Sequence, residues 1–124
     1  MRILLASSEV FPYSKSGGLA DMVAALAKSL AAAGHQVGVV TPLYVGIRER
    51  FHGLRPFDWR MQLPLGGNLL SASVWVAEPA ANLTLYFIDQ PGFFRRPGLY
   101  GTPRGEFADN PDRFVFFAKC VAHL

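Results

Sequence analysis

Ser14-Lys15-Ser16-Gly17-Gly18-Leu19-Ala20-Asp21 gathers a mobile ammonium, two hydroxyls, two residues without side chains and a carboxylate into one short stretch. Together these groups suit the holding of an anion. A lysine is a point charge matched to phosphate, and paired glycines let a ligand approach backbone that a Cβ would shield. A helix opening here adds its unpaired N–H groups and the positive end of its dipole. Taken alone, the same stretch is equally a β-to-α turn carrying an exposed lysine. Glu9, in the same loop, has two roles of equal standing: accepting from sugar hydroxyls, or capping backbone N–H groups locally.

Other chemistries lack their residues. No G-x-G-x-x-G follows the first strand and no G-x-x-x-x-G-K-[ST] occurs, so neither the dinucleotide fingerprint nor the P-loop fits. His35, His52 and His123 are scattered, with no cysteine or acid at ligand spacing, and no serine sits in a nucleophile elbow. Cys120 is the sole cysteine, so an internal disulfide is impossible and a reduced cytoplasm is the expected compartment. The net charge of +3 admits an anionic ligand without requiring one. Arg48 and Arg50, and Arg95, Arg96 and Arg104, cluster without the interleaved aromatics of a nucleic-acid module and read as solvated faces. Met1 to Ala6 opens like a signal peptide, but Glu9 and Pro12 interrupt it. Met61 to Ala77 carries no charge but contains Pro64, Gly66, Gly67 and Asn68, which suits a hairpin rather than a membrane span.

These residues need a frame, and 124 residues of which 51% are apolar suit one domain with its own core. Arg2 to Ser7 is a continuous apolar run, the pattern of a strand covered on both faces. Leu19, Met22, Val23, Leu26 and Leu30 fall on one helical stripe, with Ser16 as a cap, Asp21 in the first turn and Gly34 as the stop. His35 to Pro42 is a second strand, which completes a parallel βαβ unit with its ligand site expected at the carboxyl ends of the strands. Tyr44 to Gly53 predicts a turn of helix. Phe57 to Leu63, Leu69 to Val76 and Leu83 to Ile88 predict a meander extending the sheet antiparallel, the last run being able to return to the parallel core. Asp89 to Glu106 is an ordered, irregular loop rich in Gly, Pro and Arg. Asn110-Pro111-Asp112 then opens a final helix with Asn110 as cap. That helix lacks a stop signal, so the chain is expected to be a piece of a longer protein. No boundary falls within 1–124.

Several motifs together resemble one family. Ser8-Glu9-Val10-Phe11-Pro12 and Lys15-Ser16-Gly17-Gly18-Leu19-Ala20-Asp21 resemble the N-terminal signature of bacterial glycogen synthases and plant starch synthases, with its Lys-x-Gly-Gly-Leu core. Gly34-His35-x-Val37-x-Val39 and Thr41-Pro42-Leu43-Tyr44 look like that family's second strand. Arg96-Pro97-Gly98-x-Tyr100-Gly101, then Asp109-Asn110-x-x-Arg113-Phe114, look like its later loop and helix start. Phe107 departs from the pattern, standing where many members carry tyrosine. The likeness covers nearly the whole chain.

The resemblance implies an α/β fold: the first, Rossmann-like domain of a GT-B pair, with a parallel βαβ start and an antiparallel hairpin extension. It implies a retaining glucosyltransferase of the cytoplasm that moves glucose from ADP-glucose to the non-reducing end of an α-1,4-glucan, with no metal or other cofactor and neither nucleic acid nor membrane as partner. By the same resemblance Lys15 serves the sugar nucleotide, and Gly17 and Gly18 present backbone to its phosphate and glucose. Glu9, Asp21 and Tyr100 are further candidates for sugar contacts, although the dipole role of Asp21 weighs more. The family's basic residues for the diphosphate and its acidic motif lie in a C-terminal Rossmann-like domain beyond Leu124. No catalytic residue is therefore assigned within this chain, which is expected to be inactive alone. A non-catalytic nucleotide-sugar or glucan binding module, and another nucleotide-sugar glycosyltransferase, are the rival readings.

Overall fold

A computed structural model describes residues 1–124. Strand β1 (Arg2–Ala6), helix α1 (Gly18–Ala32) and strand β2 (Gln36–Pro42) form the βαβ unit, with β1 and β2 parallel from Arg2↔Gln36 to Ala6↔Val40. Gly34 ends the helix in the left-handed region at φ 95°. There its N–H donates to the Ala31 carbonyl at 3.0 Å and that of His35 to Leu30 at 3.2 Å, which closes off carbonyls the helix leaves unpaired. The chain leaves β1 at the carboxyl ends of both strands, where the Ser7 N–H donates to the Val40 carbonyl at 3.0 Å. The Lys15 loop therefore lies where a βαβ unit receives ligands.

The meander forms as a hairpin plus a returning strand. After a short helix α2 (Ile47–Arg50) come β3 (Arg55–Leu65), β4 (Asn68–Ala80) and β5 (Leu83–Asp89). The sheet order is β1-β2-β5-β4-β3: β5 is parallel to β2, β4 antiparallel to β5, and β3 antiparallel to β4. The strands extend beyond the β-forming runs that predict them: the β3–β4 ladder continues through Pro64↔Leu69 to Leu65↔Asn68, and the β4–β5 ladder resumes at Ala80↔Leu83 after an irregularity at Glu78 and Pro79. A short helix α3 (Pro91–Phe94), a two-stranded ribbon of β6 (Gly101–Thr102) and β7 (Gly105–Glu106), and helix α4 (Asn110–His123) complete the chain. Helix α1 packs against β2 and β5, and α4 against β3. No helix is long and apolar enough to cross a membrane.

Two expectations are corrected. Helix α1 buries Ala20, Val23, Ala24, Ala27 and Ala31, while Leu19, Met22 and Leu26 remain 44%, 54% and 42% exposed. Both stripes have helical period and lie side by side, so periodicity identifies the helix but not its inward face. The alanine face goes inward because small side chains let the helix approach the sheet closely. The first strand, expected to be covered on both faces, is the sheet's edge strand with Leu4 half exposed. Leu4, Gly38, Phe57, Tyr86 and Leu124 line an open trough there, since no element of this chain beyond the end of α4 reaches it.

The inward alanine face yields a test. Ala27→Leu should lower stability by about 1–3 kcal/mol through overpacking, whereas Leu26→Ala should change it by no more than about 0.5–1 kcal/mol. Urea-denaturation midpoints compare the two, and a larger loss for Leu26→Ala would reverse the assignment of faces.

Candidate functional site

The loop between β1 and α1 is built on Glu9, which is 2% exposed. Its Oε1 accepts from the Ser16 N–H at 3.0 Å and the Gly17 N–H at 3.2 Å. Its Oε2 accepts from the Ser16 hydroxyl at 2.7 Å and the Tyr100 hydroxyl at 2.5 Å. Burial pushes this carboxyl upward, but the bonds from the Ser16 hydroxyl, Tyr100 and the two amides outweigh it and hold the group below its ordinary 4.5. Of the two roles open to Glu9, the structure places it in backbone capping. Ser16 is accordingly not the helix cap: its hydroxyl is spent on Glu9, and Gly17 takes the N-cap position with no side-chain bond. Within the loop, Ser14 Oγ accepts from the Val10 N–H at 3.2 Å, and the Phe11 N–H donates to Ala20 at 3.2 Å.

The rest of the helix start is open. The N–H groups of Gly18, Leu19 and Ala20 donate to no group of this chain. A Cβ at Gly17 or Gly18 would meet nothing within 4 Å, and neither residue has a positive φ. The fold itself does not require glycine at these positions; what glycine leaves is bare backbone facing free space. Lys15 Nζ lies 2.6 Å from Asp21 Oδ2, with the two side chains 47% and 51% exposed, and 5.6 Å from the centre of the Phe11 ring. An exposed pair of this kind contributes about 0–1 kcal/mol. A more highly charged ligand can therefore draw the ammonium away from it. Beside Lys15 is a shallow depression lined by Phe11, Tyr13, Tyr44, Arg50, Arg96 and Leu99, among others.

Tyr100 reaches Glu9 from a second loop, 91 residues further along the chain. Gly98, at φ 139°, approaches Gly101 so closely that a Cβ would sit 2.0 Å from the Gly101 carbonyl oxygen, which accounts for glycine in Arg96-Pro97-Gly98. Arg96 grips Asp109 with two bonds of 2.7 Å. That contact holds the Asp109 carboxyl below its ordinary range. Arg113, fully buried, donates to the carbonyls of Phe93 at 2.7 Å and Leu99 at 3.0 Å and to Asn110 Oδ1 at 2.7 Å. Asn110 Nδ2 donates to the Tyr100 carbonyl at 2.8 Å, so Asn110 is not the cap of α4; Asp109 holds that position. Phe107 keeps its ring 4.8 Å from the Arg113 guanidinium and 5.0 Å from that of Arg96, a role that needs no hydroxyl.

Of the residues singled out from sequence, the structure brings Glu9, Lys15, Gly17, Gly18, Asp21 and Tyr100 to one place, with Glu9 and Tyr100 turned to the loop's own frame. Sequence reasoning gave Arg113 no role. Its signal was present all the same: Arg113 shares the spacing of Phe116, Phe117 and Cys120, the buried face of α4.

A parallel βαβ unit whose first loop, at the carboxyl ends of the strands, carries unpaired helix-start amides, an exposed lysine and bare glycine backbone defines a Rossmann-like α/β domain. Residues 2–124 match the family described as the starch synthase catalytic domain, and the chain belongs to that family. It is 41% identical over 122 residues to the glycogen synthase of Opitutus terrae, and 39% identical over 127 residues to glycogen synthase 1 of Geobacter metallireducens. These alignments take in 98% and 100% of this chain and 25% of each relative, so the chain spans about a quarter of the length of the curated relatives it matches. The catalytic domain of starch synthase IV from Arabidopsis thaliana, bound to ADP and acarbose, superposes with a TM-score of 0.74 at 28% identity. That superposition covers 97% of this chain and 24% of the plant chain.

The lowered Glu9 carboxyl predicts a pH dependence. A group with a depressed folded pKa stabilises the fold above its ordinary value, and that contribution is lost as pH falls through the folded one. From about pH 5 to about pH 3, stability should fall less steeply in Glu9→Gln than in the wild type, measured by urea midpoints. Equal slopes would show that Glu9 is not held ionised by its four donors.

Proposed function

We propose that this chain forms the donor-binding start of an ADP-glucose-dependent glycogen or starch synthase. The complete enzyme is a retaining glucosyltransferase extending the non-reducing end of an α-1,4-glucan. The observation that carries this reading is the set of free amides at Gly18, Leu19 and Ala20, beside Lys15 and open glycine backbone, at the carboxyl ends of the parallel strands. In this role Lys15 leaves Asp21 for the donor's diphosphate, while Gly17 and Gly18 let phosphate and glucose lie against the main chain. Asp21 stays in the first turn of α1, where the helix dipole favours it. The ADP and acarbose bound by the plant structure support a nucleotide and an oligosaccharide as ligands of this architecture. The cytoplasm is the setting, where a reduced thiol such as Cys120 is the norm.

Breaking the bond between glucose and phosphate leaves a nucleoside diphosphate that gains negative charge. Donors aimed at its oxygens therefore stabilise the transition state more than the ground state. The helix-start amides are fixed before the reaction and need no reorganisation. Lys15 adds a full charge, and the acid and the further cations come from a second domain facing this one.

Two outcomes test the proposal. In the full-length protein carrying this segment, Lys15→Ala should lower kcat/KM for ADP-glucose roughly tenfold to hundredfold, the equivalent of one charge-assisted contact of about 1.5–3 kcal/mol. An undiminished value would sink the assignment, and comparison with UDP-glucose on the same protein decides the donor. The 124-residue chain by itself should incorporate no labelled glucose into glycogen; measurable incorporation would refute the division between two domains.

A further inference from the structure

Resting on that donor-site reading, we propose that Glu9 and Tyr100 are positioning residues that hold the Lys15 loop in its receiving shape and do not contact the sugar. A carboxylate offers about four acceptor sites on its two oxygens. In Glu9 all four are taken, by the Ser16 amide and hydroxyl, the Gly17 amide and the Tyr100 hydroxyl. Buried and saturated, it has nothing left for a glucose hydroxyl. Tyr100 has one proton to give and gives it to Glu9, so at 2.6 Å the Ser8 hydroxyl must be the donor to Tyr100.

What this arrangement does is mechanical. Arg113 bonds to Leu99 O and Asn110 to Tyr100 O, so the peptides on both sides of Tyr100 are tied to the start of α4. The Tyr100 ring, packed 5.8 Å from that of Phe114, is a rigid spacer that carries a hydroxyl from there to the floor of the first loop. From Glu9 the constraint passes to Ser16 and Gly17, the residues between Lys15 and the first free amide at Gly18. The donor site is thus set by a strut from the far end of the chain. Small misplacements matter in such a site, since a shift of about 1 Å can cost roughly a hundredfold in rate.

A double-mutant cycle on the full-length protein separates positioning from contact. Tyr100→Phe removes only the hydroxyl and should lower kcat/KM for ADP-glucose about tenfold, the scale of one bond to a charged group. The KM for glucan should stay unchanged. Ser16→Ala, which cuts the other bond to Oε2, should act in the same direction. In a Lys15→Ala background the Tyr100→Phe effect should shrink to about twofold or less, because the residue it positions is gone. An equal effect in both backgrounds would mean that Tyr100 touches the donor independently. No effect in either would mean that the strut is not needed, and both results overturn the proposal. If Lys15→Ala alone leaves the donor kinetics intact, the donor-site reading falls instead, whatever Tyr100→Phe does.

Discussion

One buried carboxylate organises the loop at the carboxyl ends of the parallel strands. Glu9 is ionised, nearly inaccessible to water and surrounded by four donors, and an anion in that setting is stable only while all of them are present. Each donor belongs to a segment whose path matters: two backbone amides and a hydroxyl from the turn into α1, and a phenol from the loop ahead of α4. Losing one donor would leave a buried charge undersatisfied. The loop's conformation is therefore tied to the helix start and to the Gly98–Gly101 bend together.

A buried cation completes the frame on the other side. Arg113 has no carboxylate partner; two carbonyls and an amide oxygen accept from it, and the rings of Phe94, Phe107 and Phe114 lie 4.8–5.5 Å from its guanidinium. Burial pushes its pKa down, yet a guanidinium stays protonated at any physiological pH. Nη2 finds no acceptor oxygen, and the three aromatic rings are the compensation at hand. Arginine suits this position because its planar fork can meet Phe93, Leu99 and Asn110 at once, which the single ammonium of a lysine does less well. Phe107 sits between Arg96 and Arg113 as a ring without a hydroxyl.

The sheet places this assembly. Because β1 and β2 are parallel, both end at the same edge, and the first loop, the segment after β2 and the segment after β5 all emerge there. Tyr44, after β2, donates its hydroxyl to the Ser8 carbonyl at 2.6 Å, and Leu43 N–H reaches the Ile88 carbonyl at 2.8 Å. The antiparallel hairpin of β3 and β4 adds to the far edge of the sheet and contributes nothing to the loop. Among the apolar residues left at the surface, Leu19, Met22 and Leu26 on α1 and Leu4 at the β1 edge belong to faces that no element of this chain covers.

The sequence by itself determined the βαβ unit, the position of the lysine loop at its carboxyl end and the final helix. Those features depend on local signals: an apolar run, a 3.6-residue period, Gly34 at a left-handed stop, and Pro111 in the first turn of α4. It also carried the family likeness, since motifs are linear. Tertiary structure alone decided which of two adjacent apolar stripes on α1 faces the sheet, because closeness of approach, and not hydrophobicity, selects alanine there. It alone settled that β5 pairs in parallel with β2, since the meander's turns place β5 beside β4 but no local signal links it to β2. It alone turned Glu9 inward. The same carboxylate suits a sugar or a backbone amide equally well, and the choice depended on a phenol 91 residues away arriving at its second oxygen.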